Sequence, residues 1–449
     1  MGGGGGFIQL VAHGVQDIVL SGNPQITFFK TVYRRSTNYA MDSIKQEYLG
    51  TNPKLGKYST IKLSRNGDLL KSIWIEYSPQ DVLSGPLDFM KYEQPILYTY
   101  PFPLWITANL ANTLIKSTTL IIGGQEIDTI YGAWMTLWQS ISEKNHLGIQ
   151  GMPIKLGQEP GIYNTASTQD PNVCTKSQLL SYNHRAFMLD LSGTINAPNK
   201  AWIKIPFWFS NNPGLALPLI GLQYTDIFLK IQYTDWDSYT GTPPGMGLTK
   251  YIINNKELSN LVVWCDYIFL DKTERQLFAE NNHEYLIEQH WKVAVSKPSD
   301  KIIDLSPINQ SVKEIFWAHI GPTIPGNSPA GPSSPFTSLY VIGVNGTYKL
   351  TINGKELCSS RGVEYYTRLQ VNKHHKGYGS ILCPDSIGVF CWSLHPEDYQ
   401  PSGSINISRL NTLQLVSKSS YQPYYTNIFC NMYNIFRIEG GQGGVVFNN

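Results

Sequence analysis

The sequence contains little charge. Only 15% of its 449 residues are Asp, Glu, Lys or Arg, against about 25% in an average soluble protein. The formal net charge is +2, and the densest basic segment, 373–376, consists of two lysines around two histidines. Direct binding to nucleic acid, which depends on clustered Lys and Arg, is therefore not expected. The low charge also indicates that partner proteins cover much of the exterior.

The sequence lacks paired cysteines and long hydrophobic runs. Its six cysteines are scattered without a Cys-x-x-Cys pair, and the chain starts with no secretory hydrophobic segment. Reduced thiols in a cytoplasmic setting are therefore expected. Even the apolar run 202–209 is cut by Lys204 and Pro206, and no stretch approaches the ~20 apolar residues that cross a bilayer. A soluble or peripheral protein is predicted.

Catalytic motifs are also lacking. There is no Gly-x-Ser-x-Gly nucleophile elbow, and the carboxylate pair Glu397-Asp398 falls in a predicted turn. Side chains of the metal-binding type gather in one segment, but their spacing does not match a compact zinc site, and a His-x-His pair with a carboxylate is missing. We expect neither an enzyme nor a bound metal or other cofactor. The residues of that segment are His374, His375, Cys383, Cys391 and His395.

Aromatic residues are abundant and make up 12% of the chain, which also contains 39 Gly and 27 Pro. Aromatic side chains favour strands, and Gly and Pro favour tight turns, so an all-β fold is predicted. Short helices are predicted at 133–142 and 272–280, where Thr273 and Gln276 have the spacing of a capping box. Strands are predicted at 58–63, 69–77, 118–122, 202–209, 227–233, 261–270, 284–291 and 312–320.

The two halves of the chain share four short patterns in the same order. Residues 71–74 match 313–316, an offset of 313 − 71 = 242, and the Gly-centred segment 122–127 matches 352–357, an offset of 352 − 122 = 230. The remaining matches pair 28–34 with 269–275, offset 269 − 28 = 241, and 207–213 with 390–396, offset 390 − 207 = 183.

Taken in order along the chain, the four offsets are 241, 242, 230 and 183. Such an offset, steady at first and then smaller, is expected of a duplicated domain whose first copy has longer loops. The sequence therefore predicts an N-terminal arm at 1–25, a first copy at 26–240 and a second copy at 241–449. The largest insertion in the first copy is expected between residues 143 and 200, a segment rich in Gly, Pro, Asn, Ser and Thr.

Several longer blocks resemble the major capsid proteins of nucleocytoplasmic large DNA viruses. The N-terminal block runs from Gln9 to Asp17 and continues as GNPQITFFK, with Val32 to Arg35 after it. The chain departs from the family at His13 and Ser36, which leaves the fold prediction unchanged. Further similar blocks are 64–69, 206–222 (PFWFSNNPGLALPLIGL), 267–271 with 283–289, 400–403 with 408–409, and 433–449.

This resemblance implies two consecutive eight-stranded antiparallel jelly-roll barrels in one subunit. It also implies homotrimers that form pseudo-hexameric capsomers, and these tile the outer shell of an icosahedral virion assembled in the host cytoplasm. The implied partners are neighbouring capsomers, minor capsid and penton proteins, and the inner viral membrane. Two alternatives stay open: a minor capsid or penton-associated paralogue, and glycan-receptor binding by surface loops at the virion surface.

Within this framework three groups of residues are given hypothetical roles. Asn23 and Pro24 would fix the exit of the N-terminal arm, whose apolar residues Phe7, Ile8, Leu10 and Val11 would dock beneath the capsomer. Four arginines would pair with carboxylates between domains or subunits: Arg34, Arg35, Arg275 and Arg409. Three Asn-x-Ser/Thr sequons are candidate glycosylation sites in the outer loops: Asn309, Asn345 and Asn406.

Overall fold

The computed structural model describes residues 23–31, 33–50, 52–77, 114–142, 201–234, 257–258, 260–296, 301–320, 339–340, 346–377, 385–418 and 426–447. The chain divides into two compact units, Met1–Asn38 and Tyr39–Asn449. In the first unit, Asn23 has a left-handed backbone with φ 53°, a conformation that asparagine tolerates better than most residues. The described helices and strands belong to the second unit.

The first half of the second unit is built from two antiparallel sheets. One has the strand order β1-β9-β3-β6, with the short β7 beside β3, and the other has the order β2-β8-β4-β5. In β8 every second residue from Ile227 to Tyr233 is buried, the alternation expected of a strand with one face on the core. The strands are β1 (Tyr39–Gln46), β2 (Tyr58–Lys62), β3 (Leu69–Tyr77), β4 (Ile115–Ile122), β5 (Gln125–Tyr131), β6 (Ala201–Ile205), β7 (Leu217–Pro218), β8 (Ile227–Tyr233) and β9 (Val262–Leu270).

The second half repeats this arrangement. One sheet has the order β10-β19-β12, and β13, β16 and β17 also pair with β12; the other has the order β11-β18-β14-β15. The strands are β10 (His283–Ser296), β11 (Ile302–Asp304), β12 (Ser311–Ile320), β13 (Leu339–Tyr340), β14 (Thr347–Ile352), β15 (Lys355–Gly362), β16 (Ile387–Cys391), β17 (Ile405–Asn406), β18 (Leu413–Ser417), β19 (Thr426–Glu439) and β20 (Gln442–Val445).

The two halves have the same topology. Strands β1, β9, β3 and β6 of the first half correspond to β10, β19, β12 and β16 of the second, and β2, β8, β4 and β5 correspond to β11, β18, β14 and β15. Eight strands divided in this way between two antiparallel sheets form a jelly roll. The fold is therefore an all-β double jelly roll, and we call Tyr39–Leu270 the first lobe and His283–Val445 the second lobe.

The pairing of β9 fixes where the first lobe ends. The expected boundary at residue 240 falls before β9, but the hydrogen-bond ladder of β9 runs along β1 on one side and β3 on the other. A central strand cannot be separated from its sheet without breaking both ladders. The end of the first lobe consequently moves from residue 240 to Leu270.

Equivalent hairpins confirm that the Gly-centred pattern, 122–127 with 352–357, marks equivalent positions in the two lobes. Gly123 and Gly124 join β4 to β5 with φ of 61° and 81°, and Asn353 and Gly354 join β14 to β15 with φ of 49° and 76°. Two-residue hairpin turns with two positive φ angles match the strand twist and favour Gly and Asn. The pattern 28–34 with 269–275 is different, because Phe269 and Leu270 end strand β9 while residues 28–34 precede β1.

In the part of the chain that the structure describes, four short α-helices connect the strands: α1 (Gly132–Ser142), α2 (Trp208–Asn211), α3 (Lys272–Glu280) and α4 (Gln370–His374). The predicted capping box at Thr273 is wrong, because Asp271 caps α3 and accepts a hydrogen bond from Glu274 N at 2.9 Å. The predicted strand 202–209 is too long. Strand β6 ends just before Pro206, which has no N–H for a ladder.

Two large hydrophobic clusters form the core. One draws on both lobes and includes Ile73 and Leu120 of the first lobe with Phe316 and Phe429 of the second, so the lobes share buried apolar surface. The other cluster lies in the second lobe alone. Trp208 is buried and Trp392 is half-buried against the core, as expected of core aromatic residues. Among the described residues, no helix is long and apolar enough to span a bilayer.

Candidate functional site at the interface between the lobes

Helix α1 of the first lobe packs two tryptophans against the second lobe. Trp134 and Trp138 are four residues apart and therefore share one helix face, with ring centroids 5.5 Å apart. The Trp134 ring meets His290 of β10 edge-on at 4.1 Å, and its Nε1 donates to Asn431 Oδ1 of β19 at 3.0 Å. A helix of one jelly roll is thus anchored to two neighbouring strands of the other, the edge strand β10 and the central strand β19.

Strands β5 and β10 add buried polar contacts between the lobes. Asp128 of β5 accepts hydrogen bonds from the backbone N–H of His290 at 2.9 Å and from its Nδ1 at 2.8 Å. The side chain of the neighbouring Gln289 donates to the Ile127 carbonyl. Buried polar groups of this kind must find partners to avoid a desolvation penalty. These bonds therefore fix one orientation of the two lobes.

Beside these contacts lies a buried charge cluster formed by Lys313, Glu314, His375, Cys391 and Glu397. The Lys313 side chain is fully buried and its Nζ donates to the Pro396 carbonyl at 2.6 Å and to Glu288. Burial opposes the charge on Lys313, but the Glu288 and Glu314 carboxylates outweigh burial and raise its pKa. A lysine is kept charged inside the protein by these carboxylates.

Glu314 and His375 form the centre of the cluster. Glu314 Oε2 lies 3.2 Å from His375 Nε2, Glu314 Oε1 accepts from Asn431 Nδ2 at 2.7 Å, and His375 Nδ1 lies 3.2 Å from Glu397 Oε1. Burial alone would raise the pKa of Glu314, but His375 and Lys313 hold it below its usual range. Burial also opposes the charge on the imidazole, but the two carboxylates raise the pKa of His375 to about 9.

Cys391 of β16 completes the cluster. Its Sγ lies 3.6 Å from both Glu314 Oε2 and His375 Nε2. Burial, together with the Glu314 charge, raises the pKa of the Cys391 thiol. The four cysteines that the structure describes, Cys265, Cys358, Cys391 and Cys430, are all free and buried.

Gly377 marks a close approach between the lobes. It follows α4, and its N–H donates to the Ile141 carbonyl at the end of α1 at 2.8 Å. A Cβ added at Gly377 would lie 2.5 Å from that carbonyl oxygen and 3.0 Å from the Ser140 oxygen. Backbone atoms cannot rotate away as side chains do, so the two chains would have to move apart.

Gly377→Ala is therefore expected to lower the free energy of unfolding by about 1–3 kcal/mol, the usual cost of overpacking. Urea unfolding followed by tryptophan fluorescence would measure the loss. The matched control is Gly214→Ala, where the new Cβ meets its nearest atom, Asn212 Oδ1, at an ordinary 3.4 Å. Equal losses in the two variants would contradict the close contact.

Of the four selected arginines, Arg275 has a carboxylate partner among the described residues. Its Nε lies 3.0 Å from Asp68 Oδ1, with 61% of the arginine side chain exposed. Asp68 also accepts from the backbone N–H of Leu270 at 2.9 Å and so holds the end of β9 beside the start of β3. Arg34, Arg35 and Arg409 have no ion pair with another described residue, and their pairing stays a prediction.

Asp68→Ala is expected to lower the free energy of unfolding by about 1–3 kcal/mol, because it leaves the Leu270 N–H without an acceptor in a largely buried position. The Arg275 pair contributes less because its arginine is exposed. The matched control is Asp226→Ala, which removes an ion pair to Lys62 with both side chains about half exposed. If both variants lose the same stability in urea, Asp68 does not hold β9 in this way.

The other selected residues make none of the contacts given above or fall outside the described part of the chain. Phe7, Ile8, Leu10 and Val11 fall outside the described residues, as does the sequon residue Asn345, while Asn23 and Pro24 belong to the first compact unit. Asn309 and Asn406 are exposed. The Asn406 Oδ1 accepts from Ser408 Oγ at 2.6 Å, so the sequon 406–408 is folded as a local turn.

Two family models together match most of the chain. "Major capsid protein N-terminus" matches residues 27–271, and "Large eukaryotic DNA virus major capsid protein" matches residues 274–444. The chain belongs to the large eukaryotic DNA virus major capsid protein family. The border between the two models falls directly after β9, where the sheet pairing also ends the first lobe. A member of this family is a structural protein of the virion capsid.

Curated relatives agree with the family assignment, and a solved structure agrees with the fold. The chain is 31% identical to the "Major capsid protein" of Pyramimonas orientalis virus over 465 residues, covering 99% of this chain and 100% of the relative. It is 29% identical to that of Paramecium bursaria Chlorella virus 1 over 502 residues, with the same coverage. The "PBCV-1 virus capsid, quasi-atomic model" shares its fold with a TM-score of 0.67 at 24% identity, covering 94% of this chain and 100% of that one.

Proposed function

We propose that this family member is the main building block of an icosahedral shell and assembles as a homotrimer into a pseudo-hexameric capsomer. The observation that carries the proposal is the equal topology of the two lobes. Three copies of a two-lobed subunit present six similar lobes around a three-fold axis. Such a trimer can occupy positions of six-fold packing in a shell.

The interface between the lobes supports this role. A capsomer transmits lateral forces through each subunit, so its two lobes must keep one fixed orientation. The apolar cluster shared by both lobes and the buried bonds of Trp134 and Asp128 provide that rigidity. Jelly rolls of two packed sheets also leave few long unpaired strand edges, which limits aggregation at the concentrations of assembly.

The proposal extends to partners and location. Neighbouring capsomers, minor capsid and penton proteins, and the inner viral membrane are the proposed partners, with assembly in the host cytoplasm. We propose a structural rather than catalytic role, with the lobes at Tyr39–Leu270 and His283–Val445. Docking of the N-terminal arm beneath the capsomer remains part of the proposal.

Light scattering coupled to size exclusion tests the trimer. The subunit mass is 50.5 kDa, and we expect a single species of three times that mass that persists on dilution, because obligate interfaces commonly bury ~2,000–5,000 Å². A stable monomer would contradict a preformed capsomer and would favour a minor capsid or penton-associated component. Quantitative mass spectrometry of purified particles separates these two roles, since a major capsid protein must be the most abundant shell protein.

A further inference from the structure

Three side chains of the buried charge cluster are arranged like metal ligands. Glu314 comes from β12, His375 follows α4 and Cys391 ends β16, and their ligand atoms lie within 4.8 Å of one another with all three residues buried. Sequence spacing alone did not predict this site, because its carboxylate, Glu314, precedes His375 by 375 − 314 = 61 residues along the chain. The fold supplies that carboxylate from another strand.

The distances fit a tetrahedral zinc ion. The separations are 3.2 Å between Glu314 Oε2 and His375 Nε2, and 3.6 Å from Cys391 Sγ to each of these atoms. Zinc bonds of ~2.0–2.1 Å to nitrogen and oxygen and ~2.3 Å to sulfur place tetrahedral ligand atoms about 3.3–3.6 Å apart. Each separation taken alone also suits a hydrogen bond, so the informative feature is that all three ligand atoms approach one another at once.

The surroundings orient these ligands. Glu397 Oε1 lies 3.2 Å from His375 Nδ1, which leaves Nε2 directed at the other two ligands, and Asn431 holds the second oxygen of Glu314. A carboxylate behind a metal-bound histidine is the usual arrangement in zinc sites. The Lys313 ammonium is engaged by Glu288 and the Pro396 carbonyl.

We propose that Glu314, His375 and Cys391 form a site for one zinc-class divalent cation. A thiolate, an imidazole and a carboxylate favour zinc over magnesium or calcium, which prefer oxygen ligands alone. Coordination uses the neutral imidazole and the thiolate, so any protons that these groups carry leave as the cation enters. Three protein ligands leave the fourth tetrahedral position to water.

The site would join three segments of the second lobe, β12, β16 and the residues after α4, at the place where the second lobe meets the first lobe. β12 pairs directly with β16, and the segment after α4 contacts the end of α1 through Gly377. The Trp138 ring of α1 meets the His375 ring edge-on at 5.8 Å. The cation would therefore stabilise the segment that carries the contact between the lobes.

The test measures metal bound to the full-length protein after incubation with zinc sulfate and desalting. Plasma mass spectrometry is expected to give about one zinc per chain, and Cys391→Ser is expected to lose most of it. The matched control is Cys358→Ser, which changes another buried cysteine of the second lobe and should retain the metal. Equal zinc in the wild type and Cys391→Ser, or none in the wild type, would overturn the site.

A second measurement uses the wild-type chain alone, so that misfolding of a variant cannot decide the outcome. Cobalt(II) added to the metal-free protein is expected to produce a thiolate-to-cobalt absorption band in the near ultraviolet and strong visible bands of tetrahedral cobalt, both abolished by an equivalent of zinc. A weak octahedral cobalt spectrum without the thiolate band would overturn the proposal.

Discussion

Glu314→Ala is expected to lower the free energy of unfolding by about 3–5 kcal/mol, the range found when one partner of a buried ion pair is removed. The substitution leaves the fully buried Lys313 and the His375 imidazole without their shared carboxylate, and it removes the acceptor for Asn431 Nδ2. Because Asn431 also accepts from Trp134, the effect should extend to the interface between the lobes. Urea unfolding at pH 7 with a chelator present would measure the charge effect without any metal contribution.

The matched control for this variant is Glu284→Ala. Glu284 pairs with Arg437 on the same sheet, but both side chains are about half exposed, and exposed pairs contribute at most ~1 kcal/mol. A loss for Glu314→Ala no larger than that of the control would show that the buried cluster does not hold charge as described.

Trp134→Ala is also expected to lower the free energy of unfolding by about 3–5 kcal/mol, the cost of removing a large buried aromatic side chain. Trp134 is 2% exposed and contacts Trp138, His290 and Asn431, so its removal leaves a cavity between the lobes and the Asn431 Oδ1 without its donor. Since these contacts join the lobes, we also expect calorimetry to show one unfolding transition for the wild type and two for the variant.

Trp202→Ala is the matched control, because Trp202 lies on β6 with 45% of its surface exposed. In the isolated subunit, Trp202→Ala should lower the free energy of unfolding by less than about 1 kcal/mol. If Trp134→Ala kept the single transition and matched Trp202→Ala in stability, α1 would not be the anchor between the lobes.

A strand could be predicted from the sequence where one of its faces is buried and a turn flanks each of its ends. The prediction of 69–77 and 227–233 agrees residue for residue with β3 and β8, whose hydrophobic residues face the core. Strand β1 was not predicted, because it is exposed along most of its length and so has no hydrophobic alternation. Turn chemistry also predicted the equivalent hairpins at Gly123-Gly124 and Asn353-Gly354.

Long-range pairing could not be predicted from local patterns. Nothing in the residues of β9 indicates that its neighbours are β1 and β3, so the domain boundary was placed 30 residues before Leu270, at residue 240 (270 − 240 = 30). The buried charge cluster was missed for the same reason. The sequence groups His375 and Cys391 among the metal-type residues, but Glu314 comes from the distant strand β12, and only the folded sheets bring it to both of them.

Electron cryomicroscopy of the purified full-length protein tests the proposed capsomer most directly. We expect a three-fold symmetric particle with six similar β-sandwich lobes, two from each subunit, and with α1 of each subunit between its own pair of lobes. A homogeneous population of monomers or two-fold dimers, or a trimer whose subunits contribute one lobe each to the ring, would contradict the assignment of this chain as a pseudo-hexameric capsid subunit.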